Sequence, residues 1–153
     1  MRSTYAHLVI GILALATTGL SVEKPNVLFL MSDDLNTALS GFGHAQCKTP
    51  ELDKLAERGM RFENMHCQYP VCGASRASLM SGLYPYTNGT LGNAGTLRGN
   101  MPDVVTMSQL FRKNGYRVGR VSKIYHMGIP PEILAGTATR DDPHSWDEVV
   151  NIK

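Results

Sequence analysis

Asn26-Val27-Leu28-Phe29-Leu30-Met31 runs into Ser32-Asp33-Asp34, an apolar stretch closed by a hydroxyl and two carboxylates. A strand with one wet face alternates apolar and polar residues. An unbroken apolar run is expected of a strand buried on both faces, as in parallel sheets covered by helices. Thr49-Pro50-Glu51 then reads as a helix start, with Thr49 as N-cap, Pro50 at the first helical position and acids in the first turn. Leu52, Leu55 and Ala56 give that helix an apolar stripe, and Gly59 stops it. Met60 to His66 reads as a second strand. Ala74 to Met80 reads as a helix closed by Gly82. Asp103 to Asn114 reads as a third helix, with Val104, Met107, Leu110 and Phe111 on one face and Gly115 past its end. Tyr116 to Ser122 reads as another strand. Strands alternating with helices predict an α/β fold with a largely parallel sheet. From Met127 the periodicity fades into loop residues, and the chain reads as a fragment of a longer domain.

Upstream, Arg2 supplies a positive start and Leu8 to Leu20 is apolar or small throughout. Residues 1–22 therefore read as an export signal, leaving 23–153 as the mature region. The apolar run is shorter than the roughly 20 residues of a membrane-spanning helix, and no later segment reaches that length. The expected location is outside the inner membrane: secreted, periplasmic, or lysosomal and secretory in a eukaryote. The 153 residues are 42% hydrophobic and 18% charged, with a formal charge of +2. The 15 basic residues are scattered, which argues against nucleic acid as a partner. Three cysteines, Cys47, Cys67 and Cys72, leave at least one unpaired thiol. Asn88-Gly89-Thr90 is a glycosylation sequon in a eukaryotic secretory setting.

Sites in open parallel sheets form beyond the carboxyl ends of strands. Asp33 and Asp34 sit there, and two carboxylates suit a hard cation such as Ca²⁺ or Mg²⁺. The plain alternative is a capped turn. Cys72 lies at or just before a helix N-terminus, where N–H groups and the helix dipole favour negative charge. Arg76 falls on the same helical face, four residues on. Together they suit a tetrahedral oxyanion, against the alternative of a small buried cysteine and a surface ion pair. Lys123 can hold an anionic ester oxygen, and His126 can transfer a proton to a leaving alcohol. His44, Cys47, His66, Cys67 and Cys72 include zinc-ligand types but lack close Cys-x-x-Cys spacing. A serine hydrolase lacks its Gly-x-Ser-x-Gly elbow.

Cys72-Gly73-Ala74-Ser75-Arg76, continuing to Ala77-Ser78-Leu79-Met80-Ser81-Gly82, resembles the sulfatase signature, whose core is Cys-x-Pro-x-Arg. Lys24-Pro25-Asn26-Val27-Leu28 leading into Asp33-Asp34 resembles that family's opening strand and first metal ligands. Thr49 to Gly59 resembles its next helix. Lys123-Ile124-Tyr125-His126-Met127-Gly128 and Asp141-Asp142-Pro143-His144-Ser145-Trp146 resemble the iduronate-2-sulfatase branch. The resemblance implies the N-terminal part of an alkaline-phosphatase-like α/β/α sandwich with a mostly parallel central sheet, incomplete in this chain. It implies that a formylglycine-generating or radical sulfatase-maturating enzyme oxidises Cys72 to formylglycine. Hydrated to a geminal diol, that residue attacks the sulfur of a sulfate ester, such as one on a sulfated carbohydrate, and then expels sulfate. It further implies Ca²⁺ held by Asp33, Asp34 and the modified Cys72, with Arg76 steadying the diol, Lys123 binding the ester and His126 assisting. Conversion of Cys72 would leave Cys47 and Cys67 as a pair or as two free thiols. Ala74 stands where the family usually has Pro, and the remaining metal ligands and the other Lys and His of the family have no counterpart here. A related phosphate or phosphonate ester hydrolase, and a non-catalytic remnant, are the competing readings.

Overall fold

The computed structural model describes residues 23–128, 130–135 and 139–151. The expected export signal at 1–22 lies outside the described residues. The chain divides into two units, Met1–Leu30 and Met31–Lys153. In the first, residues 23–30 carry no regular secondary structure, and Leu28 is 82% exposed. The strand expected over Asn26–Met31 is thus not formed. A strand exists only through a ladder, and no described strand pairs with this run.

The second expected strand, Met60–His66, is missing for the same reason, and its Met60, Phe62 and Met65 side chains are exposed. Helix α1, Pro50–Glu57, starts as the sequence predicts, with Pro50 in its first turn beside Glu51 and Asp53. Its expected cap behaves differently. The Thr49 hydroxyl makes no capping bond and instead accepts from the Ser40 backbone N–H at 3.2 Å. The chain leaves the helix at Arg58, one residue before Gly59.

Helix α2, Cys72–Ser81, begins two residues earlier than expected and ends at Gly82, whose φ of 70° is the left-handed conformation that glycine adopts freely. Short helices α3, Pro85–Asn88, and α4, Leu97–Asn100, follow. Asn88 is 1% exposed, and its Nδ2 donates to Ser78 Oγ, Ser81 Oγ and Leu83 O. The sequon is therefore engaged inside the fold rather than presented on a surface loop.

Helix α5 spans Met107–Lys113, not Asp103–Asn114. Thr106 sets the start through a capping box with Gln109, a stronger local signal than the acid at Asp103. Strand β1, Gly119–Val121, is the centre of the strand expected over 116–122. The region expected to be loop contains α6, Pro131–Ala135, and strand β2, Glu148–Val150. β1 and β2 pair in parallel, with Arg120 opposite Val149. The α/β class with a parallel sheet is therefore correct, although the described sheet has two strands.

Ala77 and Met80 of α2 meet Leu97, Tyr125 and Trp146 in the core, flanked by Val104, Met107, Val118 and Ile124. Two ion pairs, one fully buried and one with a half-buried arginine, fasten residues 141–146 beside it. Arg98 grips Asp142 through Nε at 3.1 Å and Nη2 at 2.8 Å. Arg120 pairs with Asp141, which also accepts from Trp146 Nε1 at 2.9 Å. All three cysteines are free thiols, so Cys47 and Cys67 are not paired. Among the described residues no helix is long and apolar enough to cross a membrane.

Candidate active site

Cys72 occupies the first position of α2, with Val71 as N-cap in an extended conformation. The first N–H groups of a helix have no partner within it. One of them, on Gly73, donates to Asn93 Oδ1 at 2.9 Å. Cys72 Sγ lies 3.3 Å from the same oxygen and 3.2 Å from His126 Nδ1. The sequence-predicted Cys72 and His126, 54 positions apart, are thus in direct contact. Desolvation by burial, then the nearby Lys123 and Arg140 charges, lowers the His126 pKa from 6.5, which favours the neutral ring.

One turn into α2, Arg76 is 6% exposed. Its Nη1 donates to Ile124 O at 2.7 Å and Lys123 O at 3.1 Å and touches Met31 Sδ, while Nη2 meets Asp33 Oδ1 at 3.0 Å. Lys123 Nζ takes the other carboxylate oxygen of Asp33 at 2.5 Å. Asp33 is therefore shared between two cations. The bond from Lys123, supported by Arg76, outweighs desolvation and holds its pKa below the usual 3.8. The expected partner of Lys123 was an ester oxygen. Its partner in the fold is this carboxylate.

The backbone is bent at both contributors. Asp34 and Ser122 have φ of 53° and 58°, left-handed values uncommon for residues with a Cβ. Each adjoins a member of the Asp33–Lys123 pair. Asp34 is exposed and stands outside the ion-pair network. Among the described residues no group of three or more His, Cys, Asp and Glu side chains gathers, so His44, Cys47, His66 and Cys67 form no zinc cluster with Cys72.

The residue missed in the sequence is Asn93. The signal that could have marked it is its setting, Leu91-Gly92-Asn93-Ala94-Gly95, where two glycines permit close backbone approach. That approach is real: a Cβ on Gly73 would lie 2.4 Å from Gly92 O and 2.8 Å from Asn93 Oδ1.

Comparison with known proteins matches the sulfatase family profile to residues 25–131. A sulfatase of Formosa agariphila is 37% identical over 116 residues, covering 71% of this chain and 23% of that protein. The N-acetylglucosamine-6-O-sulfatase of Bacteroides thetaiotaomicron is 32% identical, covering 82% of this chain and 24% of that protein. Human iduronate 2-sulfatase is 33% identical, covering 82% and 22%. Among solved structures, the crystal structure of Ps i-CgsB superposes with a TM-score of 0.60 at 33% identity, over 76% of this chain and 25% of that one. The chain spans about a quarter of the length of these relatives. A profile match over most of the sequence, with several relatives above 30% identity, places it: the chain belongs to the sulfatase family.

Proposed function

We propose that the protein hydrolyses sulfate esters, with the residue at position 72 as nucleophile after conversion of Cys72 to formylglycine. The observation that carries this reading is the contact of Cys72 Sγ with His126 Nδ1, backed one helical turn away by the Arg76–Asp33–Lys123 ion pairs. Formylglycine supplies a hydrated aldehyde, one oxygen to attack sulfur and a second to release the product. Cys72 sits at the positive end of α2, where incoming negative charge is favoured. His126, kept neutral, exchanges a proton at Nδ1 with the group at position 72. Lys123 and Arg76 bring two positive charges to the site, and an incoming sulfate would compete with Asp33 for the lysine.

Calcium fits the donors only as part of a larger ligand set. Asp33 keeps lone pairs on both oxygens beyond those used by Arg76 and Lys123, and Asp34 is exposed. These hard oxygens, with an oxygen at position 72, suit Ca²⁺, which takes six to eight such ligands. When bound it supplies Lewis acidity at the attacking oxygen. Substrates of the relatives point to sulfated sugars, as the name N-acetylglucosamine-6-O-sulfatase indicates. The partners of this reading are that ester and a maturation enzyme acting on the Cys72 segment, with residues 1–22 directing export.

The test is mass spectrometry of the tryptic peptide 62–76 after co-expression with a formylglycine-generating enzyme. Replacement of the thiol by an aldehyde is expected. A peptide that keeps its thiol under conditions that convert a control sulfatase would overturn the reading. Turnover of an aryl sulfate against an aryl phosphate by the protein carrying that residue is expected to favour sulfate, and phosphate preference would move it to the related phosphohydrolases.

A further inference from the structure

We infer that Asn93 is a positioning residue for the nucleophile, fixing the side chain of residue 72 toward His126; this rests on the reading that position 72 is the reactive one. The orientation of the Asn93 amide is set by chemistry. Gly73 N–H can only donate, so the atom 2.9 Å from it is the oxygen. The same oxygen is 3.3 Å from Cys72 Sγ, so the thiol must donate to it. A thiol has one proton. With that proton on Asn93, the sulfur meets His126 Nδ1, 3.2 Å away, as an acceptor. One carboxamide oxygen thus ties down both the helix start and the sulfur, and leaves the sulfur a single direction for its remaining contact.

The surroundings hold Asn93 in that position. Gly73 presents no Cβ, and one placed there would collide with Gly92 O and the Asn93 side chain. The Gly92-Asn93 turn therefore packs directly against the first turn of α2. In sequence Asn93 lies 21 positions from Cys72, outside the signature that marks the nucleophile.

The test uses the unmodified 153-residue chain with Cys47 and Cys67 replaced by Ser, so that only Cys72 reacts. Its alkylation rate with iodoacetamide at a fixed, mildly alkaline pH and its melting temperature are measured together. Thiols react as thiolates. Asn93→Asp keeps an acceptor for Gly73 N–H but sets a carboxylate against the sulfur, and is expected to slow alkylation about tenfold at this water-exposed contact. Asn93→Ala removes the oxygen that holds the sulfur, opens the other staggered rotamers of residue 72 toward solvent, and is expected to speed alkylation about threefold. Opposite changes in the two variants support the positioning role. Rates within twofold of the parent in both, even with lowered melting temperatures, reduce Asn93 to a helix cap and overturn it. A variant that fails to melt cooperatively is replaced by Asn93→Ser, whose shorter hydroxyl is expected to give a rate between those of parent and Ala; a rate equal to the parent again overturns the proposal. Because the readout is the thiol itself, this outcome is independent of whether Cys72 is ever converted.

Discussion

Arg76 divides a planar, nearly buried guanidinium among Asp33, two carbonyls and the Met31 sulfur. The two carbonyls belong to Lys123 and Ile124, the entry to the segment that carries His126. The arginine therefore positions that segment as well as balancing the charge of Asp33. A lysine keeps the charge but cannot reproduce the fork. Arg76→Lys is expected to lower stability by about 2 kcal/mol, and Arg76→Ala by about 3–4 kcal/mol, because the carboxylate and carbonyls lose a buried partner. Urea denaturation of the three proteins measures both. Equal stabilities for Lys and Arg at position 76 would show that only charge matters there.

At the scale of the element, α2 is the platform of the site. Its N-terminus is shaped by opposing demands on Gly73. Glycine inside a helix costs about 1 kcal/mol relative to alanine, so Gly73→Ala should stabilise on propensity alone. The packing reverses that sign. The new Cβ would approach the Gly92 carbonyl to 2.4 Å, backbone against backbone, where neither side yields easily. Overpacking of this kind costs about 1–3 kcal/mol, which outweighs the propensity gain. Gly73→Ala is expected to melt earlier than the parent and to displace the Gly92-Asn93 turn. A higher melting temperature would mean that the turn moves away without penalty. Helix α5 depends on the opposite device: Thr106, fully buried, accepts from Gln109 N–H and shares a hydrogen bond with Ser145 across 2.8 Å.

At the scale of the molecule, residues 141–146 hold β2 and the core together through buried charge. Asp142 is 2% exposed, which on its own would push its pKa up. The Arg98 fork and the Ser145 hydroxyl prevail, and the pKa lies below the usual 3.8. A carboxylate depressed in the folded state contributes stability that is fully present above its unfolded pKa. That contribution is lost as pH falls below about 3.8 toward the folded value. Asp142→Asn is therefore expected to lower stability at pH 7 by about 1–3 kcal/mol, because the half-buried Arg98 loses its charge partner while keeping its bonds to Pro102 O, Val104 O and Gln109 Oε1, and to flatten the decline below pH 4. Parallel acid limbs for the parent and the Asn variant, followed by circular dichroism, would assign the acid sensitivity elsewhere.

While the Cys72–Gly82 motif carried the family resemblance, local chemistry in the chain determined the helix start at Pro50, the helix over the signature with its glycine stop at Gly82 and the α/β class. It also identified Cys72, Arg76, Lys123, His126 and Asp33 as candidates, because charge type and helical spacing are local properties. Only the tertiary structure decided which of these meet. Asp33 and Lys123 are 90 positions apart, and nothing local records that one carboxylate serves both Lys123 and Arg76. Strands were the least legible: Asn26–Met31 has the apolar composition and no ladder, while Glu148–Val150 has three unremarkable residues and a parallel partner. A helix closes its hydrogen bonds within itself and so can be read from its own residues. A strand, a buried ion pair, or an asparagine reaching 21 positions back to Cys72 requires a second segment, which the fold alone brings into place.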